Sequence, residues 1–425
     1  MSRQWSVLAR YPDFRRLFLG NSVSLLGSSV TTVALPLAAV VTLHASPTQM
    51  GLLGALAFVP HLVLGLPAGV WVDRMPYRRV LVVTDLAQML LLGAIPVLAA
   101  LDVLHIWQLY VVIVLAGTCS LFQTVTAQSF TPTLVPRQQL LPANSALMQS
   151  NATVNTTGSA LAALLVQVLT APIAIAVDAV SFLLAGLCKA RIRTPGPTVV
   201  AAAPTERHLW ADILDGLRAI YTHPVLRAVT LAATLGALAG QMQAVVLVLY
   251  LVRDLHLASG LVGVAIAIGG VAGIVGATIA TPLTERIGPG PAFIVGQSLA
   301  STAGLVLAAA AGPLPLAFAI LAVAQLLRGG GPSLYGINQQ TFRQALVPRR
   351  LISRVNATWR FLVSGSMPIG ALLGGLGAAA VGFRATLIVS SVGMLLGTLI
   401  AVGSPLRSLT ELPSTTRADG EAQAA

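Results

Sequence analysis

About twelve apolar stretches, each long enough to cross roughly 30 Å of hydrocarbon as a helix, dominate this chain of 425 residues. Six run near 17 to 43, 49 to 72, 78 to 100, 107 to 127, 144 to 168 and 171 to 188. Six more run near 225 to 250, 259 to 281, 291 to 311, 314 to 337, 357 to 381 and 383 to 403. In lipid each segment must satisfy its own backbone hydrogen bonds, so such runs fold as helices; a barrel would show short alternating strands instead. With 56% apolar and 9% charged residues and a mean hydropathy of +0.85, the chain has too little charge to coat a water-soluble fold.

The second set of runs copies the first at an offset of 212 residues. Asp73-Arg74 returns as Glu285-Arg286, and Leu134-Val135-Pro136-Arg137 returns as Leu346-Val347-Pro348-Arg349. Gln128 to Asn144 aligns with Gln340 to Asn356, and Pro12 and Arg15 find Pro224 and Arg227. A constant spacing over such a length means two copies of one large unit in the same orientation. The expected fold class is an all-α integral membrane protein, its twelve helices forming two parallel six-helix repeats around a central cavity. Parallel halves of this kind are one way to build a transport pathway.

A net charge of +12 invites a nucleic-acid reading, but the basic residues form no binding face. With the N-terminus inside, the inner segments hold 21 of the 25 Lys+Arg, and the outer loops only Arg253 and Arg384. This is the positive-inside pattern of a multi-pass bacterial inner-membrane protein with both termini cytoplasmic. The first apolar run is long, follows Arg10, Arg15 and Arg16, and lacks a small-residue cleavage site, so it reads as a retained span. Cys119 and Cys188 sit within spans as packing thiols, and the Asn-x-Thr matches at Asn151, Asn155 and Asn356 read as chance. The six histidines have no metal-ligand spacing and no phosphate-loop motif is present, so neither metal nor cofactor is expected and an enzyme is disfavoured.

Four regions follow: a six-helix half over 1–188, a cytoplasmic linker over 189–223, a second half over 224–403, and a disordered cytoplasmic tail over 404–425. Pro195, Gly196, Pro197 and Pro204 interrupt the linker. Within it Leu209, Ile213, Leu217 and Ile220 recur at helical spacing, opposite Asp212, Asp215 and Arg218, as expected of a short amphipathic helix on the inner membrane surface.

The run Gly69-Val70-Trp71-Val72-Asp73-Arg74-Met75-Pro76-Tyr77-Arg78-Arg79 resembles the loop signature of the major facilitator superfamily. The likeness extends over both halves and is closest to the branch of macrolide-efflux proteins and the enterobactin exporter. It rests also on the Leu-Val-Pro-Arg segments, Asp178-Ala179-Val180-Ser181-Phe182, and the run from Pro368 to Gly375. The resemblance implies a rocker-switch exporter with a gate at Asp73, Arg74, Arg78 and Arg79, and a weaker second latch at Glu285 and Arg286. Asp73 is expected to face a neighbouring helix N-terminus, and the arginines to bind carboxylates, carbonyls or lipid phosphate.

The same resemblance puts the first, fourth, seventh and tenth spans around the cavity. Asn21, Ser24, Ser28 and Thr31 share one stripe of the first span, with Asn21 the better contact because a hydroxyl can bond its own helix. Gln123 in the fourth and Gln241 and Gln243 in the seventh are amides that are costly to hide. Gln325 and Arg328 share a side of the tenth with Pro332 and Tyr335, and an arginine deep in a span needs a partner, water or an anionic ligand. Asp178 is the coupling candidate because a buried carboxyl can carry a proton, and Asp85 and Arg360 are assigned to the gate region.

Proton antiport is the coupling the resemblance implies. Two departures count against it: the fourth span lacks an arginine, and Gly158-Ser159 stands where Gly-Pro is usual. The expected function is secondary export of amphipathic small molecules such as drugs, natural products or siderophores. Its expected partners are the cargo, protons and membrane lipid, and the chain acts as a monomer without nucleic acid. Uptake of a small metabolite and a non-transporting receptor or scaffold are the alternatives.

Overall fold

The computed structural model describes residues 3–194, 209–347 and 351–410. Within them the chain is helical almost throughout. The first set comprises α1 (Arg3–Arg10), α2 (Pro12–Leu37), α3 (Pro47–Leu56), α4 (Val59–Val72), α5 (Tyr77–Ala100), α6 (Ile106–Leu134), α7 (Leu140–Val168) and α8 (Ala171–Ala190). After α9 (Leu209–Thr222) come α10 (Pro224–Leu249), α11 (Ser259–Ile287), α12 (Pro289–Ala308), α13 (Leu314–Leu346), α14 (Ile352–Val381) and α15 (Phe383–Val402). Eleven spans long and apolar enough to cross a membrane lie among the described residues. The 29-residue α7 occupies the place of the twelfth.

The repeat governs backbone detail as well as helix order. Both α2 and α10 end in a π-helical turn, over Ala38–Thr42 and Tyr250–Asp254, again 212 residues apart. His44 and His256 follow at φ values of 50° and 48°, a left-handed conformation that ends a helix and is uncommon outside glycine. Pro36 does not cause the turn, because Val248 stands at the matching position. One element departs: the span expected over 49 to 72 is broken between α3 and α4, whereas α11 is continuous. Pro60 explains the break, since it has no N–H to donate and starts a new helix, and Ala272 occupies its place in α11.

The outward faces of the helices are apolar, and the polar side chains of the spans lie within the buried stripes. Along α8, Ala174, Asp178, Ser181, Ala185 and Lys189 are buried at spacings of three and four. Val177, Val180, Leu184 and Leu187 are exposed on the other side. On α5 the buried stripe is Leu81, Asp85, Gln88, Leu92 and Ile95, while Val83, Leu86, Leu90 and Val97 face out. An apolar outer face costs nothing in lipid, so polar side chains gather where helices meet.

The chain divides into two compact units. The first comprises residues 1–45, 56–203 and 257–264; the second comprises 46–55, 204–256 and 265–425. The start of α3 thus belongs to the second unit, where a Cβ on Gly51 would sit 2.9 Å from both Ala371 O and Gly375 Cα. Glycine is required there because two helix backbones touch. The matching residues at the start of α11 belong to the first unit.

Several boundaries differ from those expected. Lys189, assigned to the linker as a topology-fixing charge, is in the last turn of α8 and has no exposed surface. The amphipathic helix forms as α9, but Ile220 packs with Leu226, Val347 and Val355, and a Cβ on Gly216 would meet Arg354 O of α14 at 2.7 Å. At Gly216 and Ile220 this helix therefore packs on protein. The tail expected from 404 is ordered to 410: Leu406 is fully buried and Leu409 O accepts from Gly290 N at 3.0 Å. Pro195, Gly196, Pro197, Pro204, Pro348, Arg349 and residues 411–425 lie outside the described residues.

Candidate functional site

Among the described residues the first unit buries three side chains of charged type, Asp85, Asp178 and Lys189. Lys189 Nζ lies 2.9 Å from Asp85 Oδ2 and 3.1 Å from Oδ1, with both side chains at 0% exposure. Gln123 of α6 donates to the same carboxylate, so Asp85 joins α5, α6 and α8. Such a pair is retained at a desolvation cost that its own attraction barely repays, which marks it as more than packing. About three turns earlier on α8, Asp178 is 1% exposed and accepts from Thr31 Oγ1 at 2.5 Å and from Ser181 Oγ at 3.0 Å. Among the described residues no cation reaches it. Gly27 makes room for this contact, because a Cβ there would overlap Ser181 and Asp178.

At the same positions of the repeat the second unit is neutral. Asp85 corresponds to Gln297, Asp178 to Ser390 and Lys189 to Ala401, all buried. Gln297 spends its amide on Ala232 O at 3.2 Å. Buried charge that one half carries and the other has lost is not needed to build the fold.

The remaining polar candidates fall into two groups. Gln123, Gln243 and Gln325 are committed: Gln243 is buried and donates to Ser391 Oγ at 3.2 Å, and Gln325 donates to Ala265 O at 2.9 Å. Asn21, Gln241 and Arg328 are half-buried, and their side chains have no hydrogen-bond or ion-pair partner among the described residues. The stripe containing Ser24 and Thr31 faces α8, as the contacts of Gly20, Gly27 and Thr31 show. Arg328 lies between a face of α13 held to α11 by Gln325 and Ser333 and a face packed on α12 through Gly331.

The loop residues are exposed. Asp73 is the residue at the C-terminal end of α4 and accepts from Tyr77 Oη at 3.4 Å. Arg78 donates to Ala190 O at 2.5 Å, tying the loop to the end of α8; Arg74 and Arg79 are exposed. Beside them, Asp13 accepts from Thr194 N at 2.8 Å and Arg193 N at 3.1 Å, which fixes the chain as it leaves α8. In the second unit Glu285 borders a cavity of 240 Å³ with Thr284, Asn338 and Thr341, and Arg286 is exposed. The pairing of Lys189 with Asp85 escaped the sequence reading. Its one signal was that Lys189 continues the Asp178, Ser181, Ala185 stripe at helical spacing.

A membrane-embedded repeat with buried charge and uncommitted polar groups in its spans defines a transporter of the major facilitator type. Solved structures agree on the fold. A bacterial homologue of the iron transporter ferroportin, inward-facing, superposes with a TM-score of 0.71 at 17% identity, over 92% of this chain and 98% of that one. The nucleoside transporter NupG gives 0.70 at 11% identity, over 92% and 98%.

The chain belongs to the transmembrane secretion effector family of that superfamily, whose model matches residues 3–424, and it is an exporter of major facilitator type. It is 28% identical to the multidrug efflux pump Tap of Mycolicibacterium fortuitum over 400 residues, 90% of this chain and 93% of Tap. It is 26% identical to the enterobactin exporter EntS of Citrobacter koseri over 386 residues, 88% and 87% of the two chains. Macrolide efflux protein A of Streptococcus pyogenes is 25% identical over 224 residues, 52% of this chain and 54% of the relative.

Proposed function

We propose that this exporter moves neutral or anionic amphipathic small molecules out of the bacterial cell by alternating access, in exchange for protons. The observation that carries the reading is the confinement of Asp178, Asp85 and Lys189 to one half, with Ser390, Gln297 and Ala401 in their places in the other. Asp178 is the proton carrier. Its carboxyl is held by two hydroxyls and no cation, so it can be neutral when sealed and ionise when water reaches it. Thr31 couples that change to α2. The Asp85–Lys189 pair holds α5 and α8 together.

Arg328, Gln241 and Asn21 contact the cargo, since free donors in a span are available to a ligand. A lone arginine favours neutral or anionic molecules over strongly cationic ones. The names of the relatives, a multidrug pump, a macrolide pump and an enterobactin exporter, support amphipathic natural products as the class. Asp73, Arg74, Arg78 and Arg79 form the inner gate, with Glu285 and Arg286 as the second latch. The distribution of basic residues supports cytoplasmic termini. The exporter works as a monomer.

Accumulation of a labelled macrolide in cells with and without the chain tests direction. Lower steady-state accumulation, restored by Asp178→Asn at equal expression, is expected. Higher accumulation would make the chain an uptake transporter.

A further inference from the structure

We propose that the cavity among α11, α12 and α13 binds a small organic ammonium ion. It measures about 240 Å³, with Glu285, Thr284, Asn338 and Thr341 as polar walls and Pro289 and Ile337 as apolar ones. The repeat shows how it arises. In the first half Tyr77 is 6% exposed, its ring meets Phe130 edge-on at a centroid distance of 5.7 Å, and its hydroxyl donates to Asp73 at 3.4 Å. In the second half Pro289 stands in place of Tyr77 and Glu285 in place of Asp73, while Phe342, in place of Phe130, packs on Phe293 at 6.2 Å. Space is left where the phenol was, and Glu285 has lost the O–H that its counterpart receives. Thr284 and Asn338 also replace Val72 and Thr126, so the wall is more polar.

The lining accepts hydrogen bonds and scarcely donates them. Thr341 Oγ1 gives its proton to Ile337 O at 3.0 Å and Thr284 Oγ1 to Asn338 Oδ1 at 3.3 Å. Asn338, 1% exposed, spends its amide on Leu334 O at 2.9 Å and Thr284 Oγ1 at 3.0 Å. Only the exposed hydroxyl of Thr281, at the edge of the cavity, is not committed in this way. A helix start normally offers N–H groups to an anion, but the first turn of α12 has none free. Pro289 and Pro291 lack the N–H, Gly290 N donates to Leu409 O at 3.0 Å, and Ala292 N donates to Gly288 O at 3.1 Å. What remains is the Glu285 carboxylate, which makes no ion pair among the described residues, and the lone pairs of the hydroxyl and amide oxygens. An ammonium group, all donor and positively charged, is the complement of such a wall.

An anion would meet Glu285 with almost no donor to hold it, and a bare metal ion would find one carboxylate and leave the apolar wall unused. Pro289 and Ile337 suit a ligand with an apolar body behind its charge. Thr281, Glu285 and Ile337 are exposed, so a ligand can enter. Neither Asp178 nor Arg328 takes part, and binding is read without transport, so the site stands independently of the coupling, cargo and latch proposed above. Two sources offer the same chemistry: a soluble amine, and the ethanolamine headgroup of a phospholipid.

The test uses the full chain purified in neutral detergent near neutral pH, where a primary amine is protonated, at constant ionic strength. Unfolding temperature is followed during titration with benzylammonium chloride, benzyl alcohol or sodium benzoate, and a rise is expected with benzylammonium alone. Dioctanoyl phosphatidylethanolamine is compared with dioctanoyl phosphatidylcholine, whose ammonium has no N–H. A larger rise with the first assigns the site to lipid; a rise with benzylammonium and no difference between the lipids assigns it to soluble amines. Glu285→Gln keeps the shape and removes the charge, so half-saturation should move about tenfold higher. Thr341→Val removes one acceptor and should weaken binding severalfold, and Pro289→Tyr, which supplies the ring of the first half, should abolish it. If Pro289→Tyr does not fold, the other two variants decide. No rise with benzylammonium together with equal effects of the two lipids, an equal rise with benzyl alcohol, or a rise unchanged in both Glu285→Gln and Thr341→Val, would overturn the proposal.

Discussion

Lys189 Nζ and Asp85 Oδ2 meet at 2.9 Å without any exposed surface on either side chain, joining the last turn of α8 to the third turn of α5. Removing only one charge strands the other. Asp85→Asn should therefore destabilise the protein by about 3–5 kcal/mol. The double variant Asp85→Asn/Lys189→Met removes both charges at nearly constant volume, as the second half does naturally with Gln297 and Ala401, and should recover most of the loss. Unfolding in detergent, compared across the four members of the cycle, checks this.

The committed and uncommitted amides should separate by experiment. Gln243→Leu leaves Ser391 without its donor and should lower stability by about 1 kcal/mol. Arg328→Ala breaks no described hydrogen bond or ion pair, so its unfolding temperature should fall less than that of Gln243→Leu while efflux of an anionic or neutral cargo falls severalfold. Paired measurements of efflux and unfolding on each variant would distinguish the two.

The glycines of α13 act by close packing. A Cβ on Gly331 would lie 2.7 Å from Gly296 O, and one on Gly296 would lie 2.7 Å from Tyr335 N. Gly331→Val should cost about 1–3 kcal/mol as α12 and α13 are pushed apart. Loss of folded protein on size exclusion, with partial retention for Gly331→Ala, would be the sign of it.

His223 precedes α10 and accepts the Leu226 N–H at 3.5 Å, and burial holds its pKa below the ordinary 6.5. A base whose folded pKa is depressed must be neutral to cap, so its contribution is present above 6.5 and is lost as pH falls below that value. His223→Asn should keep a cap and remove this component of acid destabilisation. Unfolding temperatures of both proteins between pH 7.5 and 5, values chosen to bracket about one unit either side of the ordinary histidine range, should be similar at the upper end and separate at the acid end, with wild type falling further.

Much of this was legible in the chain. The 212-residue spacing carried through to the π turns after α2 and α10 and the left-handed His44 and His256, because a repeated sequence repeats its backbone constraints. The span break at Pro60 followed a rule that was available but not applied. Lys189 was harder to place. A basic residue at the end of an apolar run reads as a topology signal, and only the packing of α5 on α8 reveals that it is buried. Helix periodicity places a residue on a face without saying which helix that face meets. Thr31 illustrates this: its stripe was correct, but it faces Asp178 rather than open space.

The central claim is that cargo export is exchanged for protons through Asp178. Inside-out vesicles with a preformed pH gradient test it directly, with proton movement recorded as a macrolide or siderophore is added. Dissipation of the gradient with wild type, and none with Asp178→Asn at equal expression and intact fold, is the predicted result. Equal dissipation by the two proteins would contradict the role of Asp178, and labelled cargo crossing with no proton movement at all would contradict the exchange itself.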